Sequence, residues 1–267
     1  MTTAERIEVI KEKIEKAALR SGRKPEEIQL MGVSKFHPAK KIEEAINAGL
    51  LFFGESRVQE AVTKYPKIKE QHPELCLHLI GNLQRNKVKN IPGVFDGIQS
   101  VDRDELIISL GNAAAELPGN GKALTVLLEM HTGEASKSGY PGEDALSRAA
   151  ELVISFPGLK LSGLMTMAPF TQDKKAIRQS FKKLAAARDH LQRRFPQEDF
   201  SCLSMGMSDD FEIAIEEGST LVRIGTAIFR SPHGDPADIS QGGSPPGDPA
   251  DISQGGPPDE KQLGGQQ

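Results

Sequence analysis

The chain has 267 residues, a formal net charge of -4 and 26% charged residues, which excludes a general affinity for nucleic acid or anionic membrane. No apolar run approaches the ~20 residues that span a bilayer, and the opening Met1-Thr2-Thr3-Ala4-Glu5-Arg6 lacks the apolar core of a secretory signal. The two cysteines, Cys76 and Cys202, cannot make a disulfide framework and read as small apolar residues on strands, which favours a reducing cytoplasm.

Taken in order, the chain alternates short apolar runs with helical patterns. A first helix carries Ile7, Ile10, Ile14 and Ala17 on one face and ends near Ser21-Gly22. An apolar run over Gln29–Ser34 then ends in a single lysine, Lys35, and Pro38 opens a helical pattern over Ala39–Ala48. Leu50–Phe53 reads as a second strand, and Gly54-Glu55-Ser56-Arg57 turns into a helix over Val58–Tyr65. Leu75–Ile80 is a third strand, closed by Gly81-Asn82, and the basic segment Arg85–Lys89 reads as a solvated helix face. Val94–Gln99 is a fourth strand, followed by a helix with Leu106, Ile107 and Leu110. Ala123–Met130 is a fifth, followed by a polar, Gly-rich loop and a helix over Asp144–Phe156. Leu159–Met165 is a sixth, with a helix over Gln172–Phe195. Phe200–Ser204 is a seventh, followed by Met205-Gly206-Met207-Ser208 and a helix over Asp209–Glu217. Leu221–Arg223 is an eighth, with Gly225-Thr226 directly after it.

Short runs that are apolar throughout are expected where both faces of a parallel sheet are buried. Eight strand-then-helix units after one leading helix fit a single (β/α)8 TIM-type barrel over residues 1–230. An open doubly wound sheet is the alternative, since periodicity does not show closure. From Ser231 to Gln267 the composition changes. Gly234–Gly243 recurs as Gly247–Gly256, and large apolar residues nearly vanish. Such a segment cannot bury enough surface to offset its ordering entropy, so a disordered tail is expected. Its Asp and Gly content does not match the spacing of an EF-hand calcium loop, and no metal site is expected.

In a barrel of this kind the reactive face lies at the carboxyl ends of the strands, with a phosphate site after strands seven and eight. Lys35 sits at the end of strand one, which adjoins strand eight in a closed barrel. Desolvation disfavours a lysine's charged form, and a neutral amine condenses with an aldehyde to a Schiff base. A solvated lysine just past a strand is the alternative. Ser204–Ser208 supplies a glycine and hydroxyls ahead of a helix N-terminus, which favours an anion. Gly225 and Thr226 offer donors to the same anion. Arg223, on a buried strand, requires a partner, either a barrel carboxylate such as Glu129 or a ring nitrogen that it would keep unprotonated. A ligand with an aldehyde, a ring nitrogen and a phosphate, such as pyridoxal 5'-phosphate (PLP), would satisfy all three groups. His78 reads as a hydrogen-bonded core histidine.

The stretches Val33-Ser34-Lys35, Phe53-Gly54-Glu55, His78–Lys87, Ser204–Ser208 and Val222–Phe229 resemble the pyridoxal phosphate homeostasis (YggS/PROSC) family, and the resemblance runs from about Ile7 to Arg230. It implies a barrel like the N-terminal domain of bacterial alanine racemases, with PLP held as a Schiff base on Lys35. It implies phosphate contacts from Ser204, Gly225 and Thr226, and Arg223 at the ring nitrogen. Where the family has Gly-Glu-Asn this chain has Gly54-Glu55-Ser56, so Ser56 stands where the family's Asn meets the cofactor region, with one donor fewer. The function implied is intracellular PLP homeostasis, a monomeric carrier that passes cofactor to PLP-dependent apo-enzymes and has no catalytic residues. A PLP-dependent racemase and a lysine Schiff-base sugar-phosphate enzyme are the alternatives. Racemisation needs a second base opposite the lysine, and on this reading neither Tyr65 nor Tyr140 lies at a strand end.

Overall fold

A computed structural model describes residues 1–115, 123–133 and 138–229. The expected disordered tail and its duplicated segment lie outside the described residues. The elements run α1 (Thr3–Arg20), β1 (Gln29–Val33), α2 (Ala39–Asn47), β2 (Phe52–Glu55), α3 (Val58–Gln71), β3 (Cys76–Leu79), β4 (Gly97–Val101), α4 (Asp104–Ala115), β5 (Leu124–Glu129), α5 (Glu143–Ile154), β6 (Leu159–Met165), α6 (Lys174–Arg194), β7 (Cys202–Ser204), α7 (Phe211–Glu216), β8 (Leu221–Ile224) and α8 (Thr226–Phe229). The basic segment is a short 3₁₀ helix, Arg85–Asn90, not an α-helix.

All eight strands pair in parallel and in chain order, and β8 pairs back onto β1 to close a barrel. Closure excludes the open doubly wound sheet. The leading helix forms because Thr2 and Glu5 cap its first turn reciprocally, each side chain bonding the other's backbone N–H. Ile7, Ile10, Ile14 and Ala17 are then buried along one stripe.

The pleat decides which side chains enter the barrel. A side chain at Gly54 would meet Met31 Sδ at 2.7 Å, whereas one at Gly32 would meet Leu50, Phe53 and Phe229 of the outer layer. Met31 and the position of Gly54 therefore face inward. Met31 pairs with Arg223 across the β1–β8 seam, so Arg223 also faces inward.

Two spans differ from expectation for identifiable reasons. Helix α3 continues through Pro66 to Gln71. Burial of Tyr65 and Ile68 on either side of the proline outweighs the lost backbone hydrogen bond. Helix α7 is only Phe211–Glu216, shorter than Asp209–Glu217. Asp210 folds back to accept the Met207 N–H at 2.6 Å, and Gly218, at φ +98°, ends the helix.

Candidate functional site

Lys35 lies two residues beyond the end of β1, not on it. The Ser34 N–H still bonds Gly54 O at 3.1 Å, so the strand's direction is carried to the lysine's neighbour. Lys35 is half-buried in the turn that follows β1. Its Nζ lies 5.8 Å from the centroid of the Phe36 ring, and it has no hydrogen-bond or ion-pair partner among the described residues. A primary amine left free at a barrel mouth is available to a ligand.

The β8 loop packs against the end of β1. A Cβ added at Gly225 would stand 3.2 Å from Val33 O, a tight approach that glycine makes without strain. The His37 ring packs 5.0 Å from Phe229 of α8. Thr226, the first residue of α8, is exposed at the same rim. Ser56 is half-buried just past β2, with its carbonyl against Gly81, where any Cβ would come within 2.2 Å.

Inside the barrel a polar chain runs from β8 to β3. Arg223 is 4% exposed. Its Nη1 donates to Ser204 O and Ser204 Oγ, both at 2.7 Å, and its Nη2 donates to Thr166 O at 2.8 Å. Nε takes no part in these bonds. Glu129, the carboxylate alternative, instead accepts from Ser138 at 3.0 Å, and burial raises its pKa. Arg223 is pulled down to about 10 by burial and remains a cation at neutral pH.

An arginine can only donate, and that fixes the order of protons along the chain. Ser204 Oγ accepts from Arg223, so its own proton goes to Gln99 Oε1 at 2.6 Å. The Gln99 amide then donates to His78 Nδ1 at 3.2 Å, which keeps that nitrogen unprotonated. Consistent with this order, burial pushes the His78 pKa down to about 4. The Ser204 hydroxyl is thus engaged on both sides within the barrel wall. Gln99 and Thr166 were invisible as site residues in the sequence; the one available signal was a glutamine ending an apolar strand.

The neutral histidine has a measurable consequence. Its folded pKa lies below the ordinary 6.5, so the unfolded chain binds more protons as pH falls. The stabilisation is complete above pH ~6.5 and is lost as pH falls towards ~4, about 3 kcal/mol in all. His78→Asn keeps an acceptor towards Gln99 and does not titrate. Urea unfolding at pH 7 and pH 4.5 should show a smaller acid loss in the variant; equal losses would contradict a buried neutral His78.

Both tyrosines are engaged with their own chain. The Tyr65 and Ser34 hydroxyls are 2.6 Å apart. Tyr140, expected in a loop away from any strand end, bridges Met130 just past β5. Gly139, at φ +120°, lets the chain fold back there. The Tyr140 hydroxyl donates to Asp104 at 2.9 Å. The two cysteines lie on β3 and β7 and are partly buried.

A groove of about 470 Å³ opens between α1 and the amino ends of β1 and β2, lined in part by Ile14, Leu30 and Leu50. It lies at the opposite end of the barrel from Lys35. No helix of the described residues is long and apolar enough to cross a membrane, and no cluster of metal-ligating side chains occurs among them.

Residues 7–232 match the alanine racemase N-terminal domain family. A pyridoxal phosphate homeostasis protein of Vibrio cholerae is 43% identical over 226 residues, 84% of this chain and 93% of that protein. The structure of PipY from Synechococcus elongatus, with PLP bound, superposes with a TM-score of 0.72 at 35% identity and covers 85% of this chain and all of that one. A histidine racemase of Leuconostoc mesenteroides shares the fold, with a TM-score of 0.63 at 17% identity, and this chain spans 57% of its length.

Proposed function

The chain belongs to the pyridoxal phosphate homeostasis family, and from that premise we propose that it holds PLP on Lys35 and buffers the intracellular supply of the cofactor. One observation carries the reading: the half-buried Lys35 amine has no hydrogen-bond or ion-pair partner among the described residues, and the Gly225–Thr226 loop packs at Gly225 against Val33, two residues before it. The donor set fits the group. Lys35 offers a free amine, Gly225 a backbone that approaches closely, Thr226 an exposed hydroxyl, and Arg223 a buried cation.

When bound, the cofactor would supply an aldehyde, and Lys35 would hold it through its amine. Gly225 and Thr226 would hold the phosphate through backbone N–H and hydroxyl. Arg223, always a donor, would serve the ring nitrogen and keep it unprotonated. The Ser204 hydroxyl, committed to Gln99 and Arg223, serves by fixing the guanidinium. Ser56 lies on the rim, one donor short of the family's Asn.

A carrier without turnover is the reading the tyrosines support. Their hydroxyls are tied to Ser34 and Asp104, so neither is poised as a second base opposite Lys35. Exposed Phe36, Met167, Phe170 and Met207 all stand on strand-to-helix loops at this end. Such an apolar rim suits transient contact with PLP-dependent apo-enzymes.

The test is the visible absorption of the purified protein with PLP, before and after borohydride, with peptide mass spectrometry. A visible band and a reduced pyridoxyl adduct on Lys35 are expected, with no D-amino acid formed from L-amino acids. A protein that stays colourless with PLP would return the sugar-phosphate enzyme to first place, and formation of D-amino acids would restore the racemase.

A further inference from the structure

The loop that carries Lys35 is held from outside the barrel by α3. The Lys64 side chain is 9% exposed. Its ammonium lies 3.0 Å from Ser34 O, 3.0 Å from His37 O and 2.9 Å from Glu60 Oε1, and 2.6 Å from Glu55 Oε1. Three donors are thus spent on four oxygens. Two of those oxygens, the carbonyls of residues 34 and 37, bracket Lys35 and Phe36. Glu60 adds a third hold, accepting the Phe36 N–H at 2.8 Å. Beneath them, Ser34 Oγ donates to the buried Glu55 at 2.8 Å.

The grip opposes a conformational preference. Phe36 sits at φ +67°, the one described non-glycine residue with positive φ. A phenylalanine adopts that left-handed conformation only where its surroundings over-determine it. Without the grip, the segment is free to relax to ordinary φ, and the lysine one residue earlier would swing with it.

We propose that Lys64, with Glu60, is a positioning residue that holds the 34–37 loop in the conformation aiming Lys35 into the barrel mouth. This rests on the reading of Lys35 as the cofactor's anchor. Lys64 does not itself meet the cofactor; it acts through the backbone on either side of the lysine that does.

Lys64→Met alone would strand the buried Glu55 carboxylate, so the test pairs it with Glu55→Gln, which leaves only the partly exposed Glu60 without its cation. A milder pair is Glu60→Ala, which loses the Phe36 acceptor, and Glu60→Gln, which keeps it. Ile68→Val, buried on the same helix one turn beyond Lys64 and bearing no polar group, controls for lost stability. Each protein is titrated with PLP, trapped with borohydride, mapped by mass spectrometry and melted as the apo form. The double variant is expected to bind PLP at least about tenfold more weakly, with slower adduct formation on Lys35. Glu60→Ala should show a smaller loss, Glu60→Gln should match the wild type, and Ile68→Val should lower only the melting temperature. Wild-type affinity in both the double variant and Glu60→Ala would overturn the proposal, as would an equal affinity loss in Ile68→Val. A wild type with no adduct on Lys35 would overturn the anchor reading first, and this proposal with it.

Discussion

Lys35→Ala is expected to keep its fold and to lose both the visible band and the borohydride-stable adduct. The side chain is half-buried and makes no hydrogen bond or ion pair among the described residues. Its removal therefore leaves no polar group stranded, and the stability change should stay within about 0.5 kcal/mol. The effect on the cofactor is all or none, because a covalent anchor has no substitute nearby. Lys64 is the neighbouring amine in the buried layer, and its donors are already committed to Ser34, His37, Glu60 and Glu55. PLP should then bind the variant reversibly, through the β8 loop and Arg223, and dialyse away. Absorption spectra and peptide mapping after borohydride check this. An adduct surviving at full yield on another lysine would mean that Lys35 is not the anchor.

What the sequence disclosed, and what it hid, follows from the range over which each interaction acts. Strand β6 was legible to the residue, Leu159–Met165, because an apolar run bounded by Pro-Gly and Ala-Pro is a local signal. The end of β1 was misplaced by two residues, since Ser34 still bonds the neighbouring strand without belonging to the ladder. Helix α3 was cut short at Tyr65 because Pro66 is a local breaker, while the burial of Ile68 that carries the helix onward is tertiary. Lys35 and Arg223 were conspicuous in the sequence because a charge ending an apolar strand is a short-range signal. Their supports were not. Gln99 and Ser204 meet across 105 positions of sequence. Lys64 and Glu60 announce a helical ion pair at i, i+4. Nothing local says that the same ammonium also holds two carbonyls of the β1 loop. Barrel closure is of the same kind: the β1–β8 register is a property of the assembled sheet.

Arg223→Ala is expected to destabilise the apo-protein by about 4 kcal/mol. Thr166 O would lose its charged donor, at about 1–3 kcal/mol, and Ser204 O would lose one of its two donors and keep the Thr166 N–H. The volume left behind adds a cavity term. For a barrel of this size the melting temperature should fall by about 10 °C. Urea unfolding should show a lower midpoint with an unchanged slope. Arg223→Lys keeps the charge but lacks the planar fork that spans the ends of β6 and β7 at once, so it should recover only part of the loss. The apo measurement separates two jobs that the holo-protein would confuse. An arginine present only to face a ring nitrogen would leave apo stability untouched when removed. One that first ties β8 to the chain after β6 and to Ser204 of β7 must cost stability with no cofactor present. Nη1 spends both of its N–H groups and Nη2 one of its two on the barrel wall, which leaves the Nε proton and one Nη2 proton outside these bonds. The same bonds that stabilise the barrel therefore orient the remaining donors, and an Arg223 variant should lose apo stability and PLP affinity together.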